Sequence, residues 1–194
     1  KNEEVLFTAQ KKTLLIIGGS LGARTINESI IQALPTLLNS DVQVVWQTGK
    51  DYYQNCQHAL KEAIANSGCD SKNILCTAFL SNMPMAYALA DVVISRAGAS
   101  SISELCLLGK PSILVPSPNV AEDHQTHNAM ALVRKEAALL VKDIEAEEKL
   151  IPLAVKTVND QNKLHSLGAN ALAMALTDSD VRIAEEVLQL IKND

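Results

Sequence analysis

The sequence predicts an α/β fold in which helices cover both faces of an open parallel sheet. Short apolar runs alternate with segments of helical periodicity along the chain, which is typical of parallel sheets. Several runs stop at a glycine, as buried strands do before a turn. Hydrophobic residues make up 47% of the chain but aromatic residues only 3%. The core must therefore be mostly aliphatic, which suits buried parallel strands.

The elements follow one another without an internal repeat or a low-complexity linker. The predicted strands cover residues 12–17, 41–48, 73–77, 91–95, 112–116 and 137–141. The predicted helices cover residues 26–38, 52–67, 82–91, 101–108, 126–135, 146–159, 164–176 and 179–191. A chain of 194 residues is long enough for one large domain with a buried core. Ligands of such sheets bind beyond the carboxyl ends of the strands.

Composition and charge argue against several classes of protein. A net charge of −5 gives no reason to expect a nucleic-acid partner. The four cysteines form no CxxC pair and are expected to be free thiols in a reducing compartment. The apolar runs are too short to span a bilayer, and residues 1–10 lack the apolar block of a signal peptide. We therefore expect a cytoplasmic protein.

A glycine-rich turn, GGSLGAR, joins the first strand to the first helix at residues 18–24. Glycine lets a backbone approach an anion closely, and a helix N-terminus offers unpaired N–H groups. Ser20 and Arg24 can add further donors. The motif matches neither the P-loop nor the GxGxxG fingerprint. A tight turn without a ligand is therefore an equally good interpretation.

A second candidate anion site is the segment SRAGASSISE, residues 95–104, which follows the fourth strand and opens a helix. Ser100 and Ser101 are candidate side-chain donors at that helix N-terminus. Glu104 lies about one turn into the helix, where a carboxylate can accept two hydrogen bonds from a ribose diol. The structural alternative is that Ser100 or Ser101 caps the helix and Glu104 completes a capping box.

The segment EDHQTHNA, residues 122–129, concentrates carboxylate, imidazole and amide groups just before a helix. Such groups read sugar hydroxyls and bases, and the alternative is a capped helix with a polar first turn. His124 and His127 lack HExxH spacing, which argues against zinc. The chain has no GxSxG elbow, which argues against a nucleophilic triad.

Taken in this order, the three segments resemble the MurG family of N-acetylglucosaminyltransferases. The resemblance extends from Thr13 to Ile191 and is carried by GGSLGAR, FLSNMPMAYALADVVISRAGASSISEL and GKPSILVPSPNVAEDHQTHNA. Members of the family have two Rossmann-like domains in the GT-B arrangement. The N-terminal domain binds the lipid-linked acceptor, lipid I, and the C-terminal domain binds UDP-N-acetylglucosamine. The resemblance implies that residues 1–194 are the donor-binding C-terminal domain and that the acceptor domain is absent from this chain.

The resemblance also implies positions for the nucleotide. Three residues of the glycine turn would lie beside it: Gly18, Gly19 and Ser20. Leu80 would contact uracil through its backbone, and Met83 would help form the uridine pocket. The family often has Gln at the position of Leu21, so no side-chain role carries over there.

The remaining implied contacts concern the ribose, the diphosphate and the sugar. Three residues would face the sugar and the diphosphate through N–H groups and a hydroxyl: Ala99, Ser100 and Ser101. Glu104 would hold the ribose hydroxyls. His124 and Gln125 would lie over the donor, with Gln125 reading hydroxyls of N-acetylglucosamine, although position 124 varies between His and Gln in the family. Arg96 matches a family arginine.

The implied reaction is an inverting transfer of N-acetylglucosamine from UDP-N-acetylglucosamine to lipid I, which forms lipid II in peptidoglycan synthesis. No cofactor or metal is expected, because no DxD-like pair lies near the phosphate turns. The general base, the lipid acceptor and contact with the cytoplasmic face of the inner membrane are expected from the acceptor domain. The chain alone is therefore expected to bind the donor weakly and to be inactive.

Two other classes of function use the same features. Another GT-B enzyme that acts on UDP-sugars, such as a UDP-N-acetylglucosamine 2-epimerase, would also use Glu104 and the glycine turns. A nucleotide-sugar sensor or a structural domain is the alternative that is not an enzyme, because one fold hosts many functions.

Overall fold

The computed structural model describes residues 10–68 and 73–192. Its strands are β1 (Lys12–Ile17), β2 (Val42–Gln47), β3 (Ile74–Thr77), β4 (Val92–Ser95), β5 (Ser112–Leu114) and β6 (Leu139–Leu140). They form one sheet in the order β3-β2-β1-β4-β5-β6, and every neighbouring pair is parallel. The predicted open parallel sheet is confirmed. The chain reverses its direction of travel across the sheet between β1 and β4, which is where ligands bind in folds of this kind.

The helices are α1 (Arg24–Leu38), α2 (Tyr53–Ser67), α3 (Met83–Leu89), α4 (Ala99–Leu107), α5 (His124–Val133), α6 (Ala146–Val158), α7 (Gln161–Ala173) and α8 (Ser179–Lys192). Two hydrophobic clusters show that helices cover both faces of the sheet, as predicted. The first cluster joins the strands to α1, α2 and α6. The second joins them to α3, α4, α5 and α7.

The two clusters share the strands because successive strand residues point to opposite faces. In β1, Leu14 and Ile16 belong to the first cluster and Leu15 to the second, and all three are fully buried. Trp46 is the largest fully buried side chain. Its indole Nε1 donates to Asn27 Oδ1 at 2.9 Å, which satisfies the polar atom of an otherwise apolar ring.

The last helix, α8, differs from the others. Its apolar side chains are about half exposed or more: Val181, Ile183, Val187, Leu188, Leu190 and Ile191. Neither α8 nor another helix in the described residues is long and apolar enough to cross a membrane.

All predicted elements occur, but some limits were wrong by two or three residues. The seventh helix begins at Gln161 rather than at residue 164, because Asp160 caps it by accepting a hydrogen bond from Lys163 N at 2.9 Å. Its first turn is polar and therefore carries no apolar periodicity. The strand predicted at residues 137–141 is reduced to Leu139–Leu140.

Buried thiols make the stability of the fold depend on pH in the alkaline range. Cys56, Cys76 and Cys106 are free thiols, and Cys69 lies outside the described residues. Burial raises the pKa of Cys56 to about 11. Burial, and then the charge of neighbouring Cys56, raise the pKa of Cys76 to about 12.

We expect the free energy of unfolding to decrease as the pH rises from about 8.5 towards 11. Thiols of the unfolded chain ionise near pH ~8.5, whereas Cys56 stays protonated in the native state up to about 11. Unfolding therefore releases protons in this window, and the native state loses stability. Urea titrations should show that the free energy of unfolding decreases less between pH 7.5 and pH 10 for Cys56→Ala than for the unmodified chain. An equal loss would contradict the prediction.

Candidate functional site

The turn after β1 is closed by hydrogen bonds to the neighbouring strand β2. Gly18 N donates to Gln47 O at 3.3 Å, and Gln47 Nε2 donates to Gly19 O at 3.3 Å. Gly19 and Ser20 are exposed, and a Cβ added at Gly19 would meet no atom within 4 Å. The outer side of the turn is therefore open to a ligand.

Gly22 is required for a different reason from the one the sequence suggested. Its φ is +95°, and a Cβ there would lie 2.3 Å from Thr48 O and 2.6 Å from the ring of Tyr52. A Cβ at Gly49, in the turn after β2, would lie 2.2 Å from Gly22 N. The two turns are pressed together, so these glycines allow close packing between turns.

The N-terminus of α4 carries no side-chain cap. Gly98 is the N-cap residue, and the first helical hydrogen bond runs from Ile102 N to Gly98 O at 3.0 Å. The capping-box alternative for Ser100, Ser101 and Glu104 was wrong, because the helix begins two residues earlier than predicted. The N–H groups of the first helical residues thus remain available to an anionic ligand.

Glu104 is exposed on α4, and its carboxylate is held from α3. Tyr87 Oη donates to Glu104 Oε2 at 2.9 Å, and the Tyr87 side chain is almost completely buried. Burial, followed by the hydrogen bond to Glu104 and its charge, raises the pKa of Tyr87. Tyr87 therefore remains a donor at neutral pH. It was not among the predicted site residues, because its partner lies 17 positions away.

Leu80 and Met83 lie at the start of α3 and pack, partly buried, against the second hydrophobic cluster. Asn82 caps this helix by accepting a hydrogen bond from Met85 N at 3.1 Å. Phe79, which the sequence analysis did not single out, is 64% exposed beside Leu80. The loop before α3 therefore presents an exposed apolar side chain, and Tyr87 on α3 contacts the Glu104 carboxylate.

A cavity of about 620 Å³ opens at the carboxyl ends of the central strands. It is lined by Gly22, Ala23, Arg24, Thr25, Tyr52, Arg96, Ser117, Asn119, Gln125 and Asp143. Of the predicted donor-binding residues, only Gln125 lines it. Gly22, Ala23 and Arg24 at the end of the glycine turn line the cavity, whereas Gly18, Gly19 and Ser20, the first residues of α4 and Glu104 lie outside the lining.

Arg96 connects three parts of the cavity wall. Its Nη1 atom donates to Val115 O at 3.1 Å, to Pro116 O at 3.3 Å and to Asp143 Oδ1. Thr25, in the first turn of α1, donates its hydroxyl hydrogen to Asp143 Oδ2 at 2.8 Å. The Arg96 guanidinium therefore stabilises the cavity wall. Sequence reasoning missed Asp143 because it lies 47 positions from Arg96 along the chain.

The orientation of the Gln125 amide is fixed by two backbone donors. Gln125 Oε1 accepts from Ala97 N at 3.2 Å and from Ser117 N at 3.0 Å. One turn further along α5, Asn128 Nδ2 donates to Ala97 O at 3.2 Å. Because the oxygen of Gln125 faces the backbone, its Nε2 group is left to donate hydrogen bonds in the cavity.

His124 is exposed at the first position of α5. The chain enters this helix through a 3-10 turn, Ala121–Asp123, in which Glu122 and Asp123 have φ values of +52° and +51°. Such strain in residues other than glycine is characteristic of functional loops. Among the described residues, no group of three His, Cys, Asp or Glu side chains could hold a metal ion.

The all-parallel sheet in this order defines a Rossmann-type domain, with a glycine turn and an uncapped helix N-terminus at its switch point. The chain belongs to a particular family, the Glycosyltransferase family 28 C-terminal domain, whose sequence model matches residues 13–186. A relative from Bacteroides fragilis is 56% identical over 182 residues, which are 93% of this chain and 47% of that protein. It is named UDP-N-acetylglucosamine–N-acetylmuramyl-(pentapeptide) pyrophosphoryl-undecaprenol N-acetylglucosamine transferase. The chain spans about half the length of the curated relatives it matches.

Solved structures agree with this family. The crystal structure of Acinetobacter baumannii MurG superposes with a TM-score of 0.77 at 28% identity, covering 95% of this chain and 50% of that one. A UDP-N-acetylglucosamine 2-epimerase gives a TM-score of 0.62 at 16% identity, covering all of this chain and 46% of that one. The second likeness shows the shared fold alone.

Proposed function

We propose that this chain is the donor-binding domain of a MurG-type transferase and binds UDP-N-acetylglucosamine. The observation that carries the proposal is the pairing of Glu104 with the uncapped N-terminus of α4. A carboxylate can accept hydrogen bonds from both ribose hydroxyls, while free backbone N–H groups bind a diphosphate. The membership of the chain in the family and the name of its B. fragilis relative support this donor.

The other predicted residues fit around that arrangement. The base would pack on the apolar loop of Leu80 and Met83, which the Tyr87 contact ties to Glu104. Ala99, Ser100 and Ser101 would face the diphosphate. Gly19 and Ser20, which are exposed, and the half-buried Gly18 would lie beside it.

The sugar would extend towards the start of α5, where Gln125 lines the cavity and His124 is the exposed residue before it. The amide Nε2 of Gln125 has no protein acceptor among the described residues and points to a ligand with oxygen acceptors. N-acetylglucosamine carries such acceptors in its hydroxyls and its amide carbonyl.

In the proposed reaction, a hydroxyl oxygen of lipid I forms a bond to the anomeric carbon of the donor. The bond from that carbon to the diphosphate breaks, and UDP leaves with the electron pair. Backbone donors at α4 stabilise the charge that develops on the diphosphate without reorganising. A base in the other half of the full-length protein takes the hydroxyl proton, and closure of the two halves assembles the site.

The full-length protein would make lipid II on the cytoplasmic face of the membrane. Its acceptor site and membrane contact would lie in the half of the full-length protein that this chain does not span. The isolated chain should therefore bind the donor without transferring it, and measurable turnover by the chain alone would contradict this division.

Calorimetric titration with UDP and UDP-N-acetylglucosamine tests the donor site. We expect both ligands to bind and Glu104→Ala to weaken each of them about 30-fold, because two hydrogen bonds to a charged acceptor are lost. Glu147→Ala, which removes an exposed carboxylate from α6, is the matched control and should bind normally. Equal affinities for Glu104→Ala and the unmodified chain would exclude the ribose contact.

A further inference from the structure

The hydrogen bond between Tyr87 and Glu104 joins two helices that each carry part of the nucleotide site. Tyr87 lies on α3 and Glu104 on α4, and the Oη to Oε2 distance is 2.9 Å. Tyr87 is 6% exposed whereas Glu104 is exposed. A buried, immobile donor therefore holds one oxygen of an exposed and otherwise mobile carboxylate.

This contact restricts the carboxylate without saturating it. A carboxylate offers about four lone pairs, and Tyr87 uses one of them. The other oxygen, Oε1, stays available to a diol. A glutamate side chain that samples several rotamers would lose conformational entropy when the ligand orders it, and this loss lowers the affinity. Glu104 meets the ligand already oriented.

The position of Tyr87 also couples the ribose contact to the base contact. Met83 and Tyr87 are four residues apart on α3, and so they lie on the same face of that helix. Asn82 fixes the start of α3 by accepting a hydrogen bond from Met85 N. The helix that carries the apolar base surface thus also orients the carboxylate for the ribose.

We propose that Tyr87 is a positioning residue that orients Glu104 for the ribose diol and thereby sets the preference for ribonucleotides over 2′-deoxyribonucleotides. The inference rests on the proposed nucleotide site. It adds a residue to that site which acts through Glu104 and does not itself contact the ligand.

The test compares UDP with 2′-deoxy-UDP by calorimetry in Tyr87→Phe and in the unmodified chain. We expect Tyr87→Phe to weaken UDP about 5-fold, as one supporting hydrogen bond to a charged group is lost. The same change should weaken 2′-deoxy-UDP less, because only its 3′-hydroxyl can contact Glu104. The ratio of the two affinities should therefore fall. Adding Tyr87→Phe to Glu104→Ala should cause no further loss, because Tyr87 acts only through that carboxylate.

Tyr53→Phe is the matched control, since within the described part of the chain the Tyr53 hydroxyl accepts a hydrogen bond only from Gln57 Nε2 on the same helix. It should leave the affinity ratio unchanged. If Tyr87 were merely structural, Tyr87→Phe would lower the melting temperature and weaken both nucleotides equally, and this result would overturn the inference. Absence of UDP binding by the unmodified chain would instead overturn the proposed function and the inference with it.

Discussion

Replacement of Gly22 by alanine is expected to lower the free energy of unfolding by about 3 kcal/mol or more. The residue has a φ of +95°, and a left-handed conformation costs an alanine about 1–2 kcal/mol. The added methyl group would also lie 2.3 Å from Thr48 O and 2.6 Å from the Tyr52 ring. Overpacking of this kind costs typically 1–3 kcal/mol. Urea unfolding followed by circular dichroism measures the sum.

The control for this prediction separates backbone strain from steric overlap. Gly68 ends α2 in the left-handed conformation, with a φ of +65°, but a Cβ there would meet nothing within 4 Å. Gly68→Ala should therefore cost only about 1 kcal/mol. If Gly22→Ala and Gly68→Ala lowered the free energy of unfolding by similar amounts, the turns after β1 and β2 could separate without loss of stability.

This pair of turns shows where sequence reasoning stops. Residues 18–24 were interpreted through their own pattern, as either an anion cradle or a tight turn. The partner that requires a glycine at position 22 is the turn at Gly49, and no local pattern reports a contact between two distant turns.

The fold itself could be predicted because its signals are local. Apolar runs that end at glycine mark the strands, and periodic apolar residues mark α1 and α2. The order of the strands was not predicted, because pairings such as β1 with β4 depend on the whole topology. The predicted start of a helix was wrong where the first turn of that helix is polar, as at Gln161 in α7.

The site was predictable in its motifs but not in its connections. Glu104 and Gln125 were singled out because they lie in polar segments that follow strands, and the family resemblance implied their roles. Their supports, Tyr87 and the backbone N–H groups of Ala97 and Ser117, were not found, because ordinary side chains and peptide groups carry no distinctive signal. The same holds for the ion pair between Arg96 and Asp143.

Replacement of Gln125 by glutamate is expected to abolish sugar recognition while leaving the fold intact. The new carboxylate keeps an oxygen where Gln125 Oε1 accepts from Ala97 N and Ser117 N. It loses the two N–H donors that face the cavity and introduces a negative charge there. We expect the affinity for UDP-N-acetylglucosamine to fall about 100-fold. UDP, which lacks the sugar, should lose less, since it experiences only charge repulsion.

Gln125→Met is the informative comparison, because it removes the acceptor as well as the donors. The N–H groups of Ala97 and Ser117 would lose their partner, so the free energy of unfolding should decrease by about 1–3 kcal/mol. Gln125→Glu should keep nearly normal stability, since charged acceptors form stronger hydrogen bonds with backbone N–H groups. A stable Gln125→Glu variant with a reduced affinity for UDP-N-acetylglucosamine would establish that Gln125 donates hydrogen bonds to the ligand. A destabilised one, or one with unchanged preference for UDP-N-acetylglucosamine over UDP, would contradict that orientation.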